Sequence, residues 1–393
     1  MTWGLFHWTS GIVLGVAWFS RIVDAAFGMR QIVDVTQPEW SRNPVSSSGN
    51  PRVSIIVPAR NEEADIETTL TQLLALDYDN YEIIAVNDRS TDHTGDLMDA
   101  IAVQPQAHGR LRVIHVDFLP SAWLGKTHAM WLAARQATGD WLLFTDADVL
   151  FKPDSLRRTL TYAAQENADH VVLFPRMIMK HPGERMMIAF FQTLFVFGHR
   201  PWKVADPKTK DHMGVGAFNL IRRTVYAQVG TYERLRLEVL DDMKLGKVVK
   251  NAGFRQRNVF GEDLISLRWA RGTLGVVNNL TKNFFAVLSF QAWRVVASCI
   301  GLAFLNLLPF VGVWLAHGWA KVPYAMALLA MFLIYLGMSW KSSIPPYYFL
   351  LHPVSTMLFL YTLLRSTYLT LSQGGVVWRG TKYPLEELRK GLV

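Results

Sequence analysis

Between Pro51 and roughly Val259, short β-branched runs alternate with stretches of helical periodicity, and this alternation narrows the possible folds more than any other feature. Val53 to Val57 reads as a strand. It ends at Pro58-Ala59-Arg60-Asn61-Glu62, a breaker followed by a helix-start signal. Ile66, Leu70, Leu73 and Leu74 then recur at helical spacing. Glu82 to Val86 is the next strand and ends at Asn87-Asp88-Arg89-Ser90, where Thr91 or Asp92 can cap a helix reaching about Ala102. Leu111 to Val116 is a third strand, Lys126 to Ala137 a helix, and Trp141 to Phe144 a fourth strand. Such a sequence predicts an α/β fold, a mostly parallel sheet with helices on both faces. Ligands of these sheets bind beyond the carboxyl ends of the strands, and Arg60, Asp88 and Asp148 all fall there.

The fourth strand runs into Thr145-Asp146-Ala147-Asp148. Side chains alternate along extended chain, so Asp146 and Asp148 point to one side. Two carboxylates converging at a strand end make a hard oxygen site suited to Mg²⁺ or Mn²⁺. Alone, Asp-x-Asp is a weak signal, more often a solvated acidic turn; its neighbours change that balance. No Gly-x-Gly-x-x-Gly follows the first strand and no complete Walker Gly-x-x-x-x-Gly-Lys-Ser/Thr motif occurs, so phosphates must be met by a metal and basic side chains.

The flanks have another character. Half of the 393 residues are apolar, and these cluster at the two ends. Trp3 to Ser20 is apolar enough for a first membrane helix; it lacks the basic start and small-residue cleavage site of a signal peptide. Arg21 and Arg30 follow it, which predicts that the next segment is cytoplasmic. Val295 to Ala316 and Val322 to Trp340 have the length of spanning helices, and Pro346 to Leu371 is a third candidate, interrupted by His352-Pro353 and carrying Arg365. Three crossings would leave the tail outside, yet Arg379, Lys382, Arg389 and Lys390 prefer the inside. Either one C-terminal segment is re-entrant or the tail departs from that preference. The expected divisions are residues 1–25 as a membrane helix, 50–270 as the α/β domain, 271–293 as an interfacial amphipathic segment, 294–372 as membrane helices and 373–393 as a basic tail. The net charge of +8 is scattered rather than in runs, which disfavours nucleic acid and suits anionic headgroups and a nucleotide diphosphate. The single cysteine, Cys299, cannot form an internal disulfide.

The segments Val53-Ser-Ile-Ile-Val-Pro-Ala-Arg-Asn-Glu62, Val86-Asn-Asp-Arg-Ser90, Phe144-Thr-Asp-Ala-Asp148 and Asp241-Asp242, with Leu245 and Ala252-Gly253-Phe254-Arg255 beyond, resemble the family 2 glycosyltransferases, inverting enzymes of the GT-A fold. Trp123-Leu124-Gly125-Lys126, Gly214-Val215-Gly216-Ala217-Phe218-Asn219 and Val377-Trp378-Arg379-Gly380 look like its membrane-bound, lipid-glycosylating branch, near hopanoid- and carotenoid-associated enzymes and ceramide glucosyltransferase.

The resemblance implies roles. Asp88 would accept a hydrogen bond from the nucleotide base, with Arg60 and Glu62 lining the same pocket. Asp146 and Asp148 would handle the ribose and the metal–diphosphate, Asp148 being the direct ligand of Mg²⁺ or Mn²⁺. Lys126, a cation at an unfavourable helix start, would reach the donor phosphates. Asp242, beside Asp241, would be the general base for the acceptor hydroxyl, its pKa raised by burial or by its neighbour. Arg268-Trp269 matches the end of an Arg-Trp element whose first position is here Ile265, which disfavours processive polymer synthesis; Arg268 would neutralise diphosphate and Trp269 line the acceptor site. Met186 to Phe197 and Asn278 to Trp293 read as helices at the membrane surface, with His199-Arg200-Pro201-Trp202 near the acceptor mouth.

The expectation is a metal-dependent membrane glycosyltransferase, catalytic domain cytoplasmic at a bacterial inner membrane, moving a sugar from a nucleotide diphosphate, a UDP-sugar in the first instance, to a lipid hydroxyl. Its rivals are a polyprenyl-phosphate sugar synthase, whose anionic acceptor needs no base, and a non-catalytic nucleotide-sugar-binding membrane protein.

Overall fold

In the computed structural model, which describes residues 3–42, 50–261, 263–340, 342 and 344–393, the β-branched runs become strands because they can be buried on both faces. All seven residues of Val53–Ala59 are buried, and each such aliphatic side chain contributes roughly 2 kcal/mol by leaving water. The chain proceeds through α1 (Trp3–Gly28), β1 (Val53–Ala59), α2 (Ile66–Leu74), β2 (Tyr81–Asp88), α3 (Thr94–Ala102), β3 (Leu111–Val116), α4 (Gly125–Gln136) and β4 (Trp141–Phe144). Next come β5 (Val149–Phe151), α5 (Ser155–Gln165), β6 (His170–Phe174), β7 (Arg176–Met177), α6 (Pro182–Gly198), β8 (Asn219–Arg222), α7 (Arg223–Gln228), α8 (Thr231–Arg234) and α9 (Asp241–Asn251). The remaining elements are β9 (Gln256–Phe260), β10 (Ile265–Leu267), α10 (Gly272–Val287), α11 (Ala292–Asn306), α12 (Leu308–Leu315), α13 (Lys321–Ser339), α14 (His352–Ser372), β11 (Gly375–Trp378), β12 (Thr381–Pro384) and α15 (Leu385–Lys390).

Two units divide these elements. The first contains Ile32–Ile178, Lys203–Arg268 and Glu386–Val393. Its seven-stranded sheet has the order β3-β2-β1-β4-β8-β6-β9. The strands are parallel except β8, which runs against both neighbours, β4 and β6. One apolar cluster covers each face, with Ile55, Leu70, Leu143 and Leu160 on one side and Ile56, Met130, Phe144 and Leu245 on the other. This is the expected GT-A type sheet. The anticipated cap at Thr91 or Asp92 is displaced by a residue: His93 holds the N-cap position, while Asp92 Oδ1 accepts from the N–H and hydroxyl of Thr94.

The second unit contains Met1–Gln31, Met179–Trp202 and Trp269–Leu385. It carries 13 of the 40 Lys and Arg residues but 2 of the 32 acids, Asp24 and Glu184, a net charge of +11. Among the described residues three helices are long and apolar enough to cross a membrane: Trp3–Gln31, Gly318–Ser339 and Pro346–Ser372. The first runs past the expected end at Ser20, because Arg21 pairs with Asp24 one turn on.

Three expectations need correction here. Val295 to Ala316 is not one uninterrupted helix: α11 and α12 meet at Leu307, because Pro309 has no N–H for the carbonyl of Leu305. The indole Nε1 of Trp18 donates to that carbonyl instead, at 3.0 Å. The surface helix expected over Asn278 to Trp293 instead ends at Val287, where Ser289 and Phe290 adopt left-handed conformations, and α11 leaves at 119° to α10. Trp202 does not flank an opening; it is buried in this unit, packed against Gly28, with its indole donating to Asp24 at 3.2 Å.

Candidate active site

The carboxyl ends of β1, β2 and β4 converge on one rim. Two loops there are laced together: Asn61, at φ 53°, donates its N–H to Ser90 Oγ and accepts from Thr91 N–H, and Glu62 N–H donates to Thr94 Oγ1. This places Arg60 beside Asp88, with Nη1 4.0 Å from Oδ2. Asp88 is 3% exposed. Its carboxylate accepts two bonds from Arg89, at 2.7 and 3.0 Å. Gly125 opens α4 directly over this pair, and a Cβ there would overlap Asp88 Oδ2. In the sequence Arg89 and Gly125 stand only as parts of motifs, with no role of their own; the left-handed φ of Arg89 (55°) has no signature in composition.

The next residue on α4, Lys126, joins the two acidic motifs. Its Nζ lies 2.7 Å from Asp146 Oδ1 and 3.6 Å from Asp241 Oδ2. Burial alone would favour the neutral amine; Asp146, Asp241 and Asp242 outweigh it and hold the ammonium well above the usual lysine range. These carboxylates therefore explain a cation at a helix start. Asp148 is raised to about 7, first by burial and then by the charges of Asp146, Glu62 and Asp65.

That cluster bears on the expected metal. Among the described residues no group of three or more His, Cys, Asp or Glu is arranged to hold an ion. The protein's own share of any coordination would be small: Asp148 could contribute, while Asp146 is already shared with Lys126. The crowding of negative charge at Asp148 fits a hard divalent cation whose other ligands come from phosphate oxygens and water, as Mg²⁺ and Mn²⁺ require.

Asp241 and Asp242 open α9. Asp241 is 5% exposed. Asp242 accepts from Gly216 N–H at 2.8 Å and from Met243 N–H at 2.7 Å. Its pKa is raised by burial, against the lowering effects of Lys126 and those amides. The loop that presents Gly216 is itself anchored. Asp146 N–H donates to Gly216 O, Thr145 Oγ1 to Ala217 O, and Met213 N–H to Gln256 Oε1. Gln256 Nε2 donates to His170 Nδ1 and Gly246 O, and His170 donates from Nε2 to Asn219 Oδ1. Met213, Gln256 and His170 were not legible as site residues, because their effect passes through backbone groups.

Lys126, Asp146, Asp148, Asp241 and Asp242 are therefore joined by direct contacts or short-range charge, and Asp88 lies under Gly125, the residue before Lys126. Arg268 follows β10 at the end of this unit. Trp269 falls in the second unit, its ring 5.2 Å from that of Phe191 and its carbonyl accepting from Asn279.

Comparisons with known proteins agree with this geometry. The chain is 22% identical over 234 residues to a 4,4'-diaponeurosporenoate glycosyltransferase of Staphylococcus haemolyticus, covering 59% of this chain and 60% of that one. It is 27% identical over 308 residues to the probable glycosyltransferase YdaM of Bacillus subtilis, covering 71% and 67%. A beta-monoglucosyldiacylglycerol synthase of Synechocystis is 31% identical over 162 residues, 41% of this chain and 33% of that one. The chain thus spans about three fifths of the first of these relatives and a third of the last. In structure it is similar to a mannosyltransferase of Pyrobaculum calidifontis in complex with GDP-Man and Mn²⁺, with a TM-score of 0.54 at 20% identity over 93% of this chain and 99% of that one. The model of Glycosyl transferase family 2 matches residues 54–230, and this segment, which carries the rim from Arg60 to Asp148, is a family 2 glycosyltransferase domain.

Proposed function

We propose that the protein is a membrane-anchored inverting glycosyltransferase, its catalytic unit cytoplasmic, that moves a sugar from a nucleoside diphosphate, a UDP-sugar in the first instance, to a lipid hydroxyl. The observation that carries this reading is the bridge Asp146–Lys126–Asp241. It joins the strand-end acids, suited to a sugar nucleotide, to the buried acids at the start of α9, suited to a proton transfer.

In this reading Asp88 and Arg60 receive the base, and Asp146 the ribose. Asp148 would hold a divalent cation, which would supply positive charge against the departing diphosphate. Lys126 keeps Asp146 and Asp241 in place and brings a fixed cation to the same rim. Asp242, raised in pKa yet held by two backbone amides, takes the hydroxyl proton as the acceptor oxygen attacks the anomeric carbon. The bond from that carbon to the diphosphate oxygen breaks in the same step, which inverts the centre. The lipid acceptor draws support from the apolar second unit and from the names of the carotenoid and diacylglycerol relatives.

The test incubates purified protein with labelled UDP- and GDP-sugars, Mg²⁺ or Mn²⁺, and lipid extract, and tracks label into the lipid phase. Asp242→Asn should lower transfer to hydroxyl lipids by roughly 10²- to 10⁴-fold. Full activity of that variant on a polyprenyl phosphate would favour the synthase reading. Donor binding without turnover across the panel would favour a sensor.

A further inference from the structure

Within the membrane unit, the contacts determine the direction of each long helix. Tyr324, near the start of α13, meets α1 at His7 (3.1 Å) and Ser10 (2.5 Å), and its ring lies against Gly11. Tyr335, three turns on, bonds His352, whose ring lies 6.5 Å from that of Trp18. Rising numbers on α13 thus match rising numbers on α1, so the two helices run parallel. The pair α11–α12 runs the other way: Leu305 meets Trp18, and Gly312 meets Tyr324. Together with Leu307, the 15 residues of α11 and 8 of α12 extend about 36 Å at 1.5 Å per residue, enough for a hydrocarbon core of about 30 Å.

Because α1 leads into the catalytic unit, α13 also runs toward the catalytic side of the bilayer. The chain must therefore have crossed outward beforehand, through α11–α12. After α13 it is back on the catalytic side, near Trp340. The next segment, Pro346–Ser372, has the composition of a span. Its residue His352 lies at the level of Trp18, ten residues or about 15 Å from the end of α1 at Gly28, near mid-bilayer. Phe349 packs against Phe310 and Phe332 at similar depth. From His352, α14 returns along α11 and α10, with Ser366 receiving Phe285 N–H and Arg365 donating to Thr281. It ends before Glu386–Val393, which belongs to the catalytic unit.

We infer that Pro346–Ser372 does not cross the membrane but is a re-entrant segment, an apolar surface for the acyl chains of the catalytic-side leaflet, with its tip at His352. Leu350, Met357, Tyr361, Leu364 and Tyr368, between 54% and 73% exposed, form the face these chains cover. Non-helical backbone at this depth requires polar partners inside the protein. The polar side chain at the tip has them as well: Tyr335 donates to His352 Nδ1, His352 Nε2–H donates to Asn306 Oδ1 at 3.1 Å, and Asn306 Nδ2 donates to Leu302 O, so the imidazole is satisfied within the protein. His352 and Asn306 are both fully buried. With this path the tail carrying Arg379, Lys382, Arg389 and Lys390 ends on the catalytic side.

The experiment places single cysteines in a Cys299→Ser protein, at exposed positions Gln106, His317, Trp340 and Gln373, in sealed vesicles treated with an impermeant maleimide. The expected result is that Gln106→Cys, Trp340→Cys and Gln373→Cys label together from one face and His317→Cys from the other. Labelling of Trp340→Cys and Gln373→Cys from opposite faces would overturn the inference. Depth gives an independent reading in folded, vesicle-reconstituted protein. A fluorophore on Leu350→Cys should be quenched more strongly by mid-chain brominated lipid than one on Tyr361→Cys, which a crossing helix would reverse.

Discussion

Lys126→Met removes a side chain that bridges the two acidic motifs. At an effective dielectric near 20, a charge 2.7 Å from Asp146 and 3.6 Å from Asp241 interacts with them by about 6 and about 5 kcal/mol before desolvation. The Asp146 side chain is 38% exposed and screened; that of Asp241 is 7% exposed and is not. Breaking a buried pair by deleting one partner costs about 3–5 kcal/mol, and here Asp241 stays buried after losing this cation. The same loss sets the pH dependence. In the variant the carboxylates titrate above their unfolded values, so the folded state binds more protons than the unfolded one near neutrality, and the penalty is full at pH 8 and shrinks toward pH 5. Thermal unfolding of the detergent-purified protein across that range, beside the wild type, reads this directly. Donor binding, measured by calorimetry, should weaken at least 10-fold. A variant that melts with the wild type at pH 8, or whose deficit grows on acidification, would refute the assignment of Lys126 as the counter-ion of this cluster.

Two glycines separate binding from chemistry. Gly125→Ala forces Asp88 and Arg89 apart, and steady-state kinetics should show donor KM raised at least 10-fold with kcat changed less. Gly216→Ala brings a methyl to 2.5 Å from Asp146 Oδ2 and 3.3 Å from Lys126 Nζ, and displaces the amide that supports Asp242; kcat should fall by about 10². His170, buried and neutral with its pKa lowered to about 4, binds a proton in the unfolded state between pH 6.5 and 4 but not in the folded one. Stability should therefore fall with acidification through that window, by up to about 3 kcal/mol more in the wild type than in His170→Gln, measured by unfolding at each pH.

The residues by themselves determined the sheet of the catalytic unit. Runs such as Ser54-Ile55-Ile56-Val57 must be buried on both faces, helices must cover them, and acids such as Asp88 and Asp148 must then collect at the strand ends. Those consequences need only local periodicity and the cost of leaving apolar surface in water. Lys126 was legible as an anomaly, since a cation at a helix start opposes the dipole, but not its partners. That Lys126 meets Asp241 across 115 positions, that Gly216 supports Asp242, and that Gln256 and His170 hold the Met213–Gly216 loop are products of strand order, above all of β8 inserted antiparallel between β4 and β6. The membrane unit makes the same point. Hydropathy marks segments that can lie among lipid tails, and length marks those that can cross. Which of them cross depends on pairs such as Trp18 with Leu305 and His352 with Asn306, where a polar group excluded from water finds its partner on a different helix, far away along the chain.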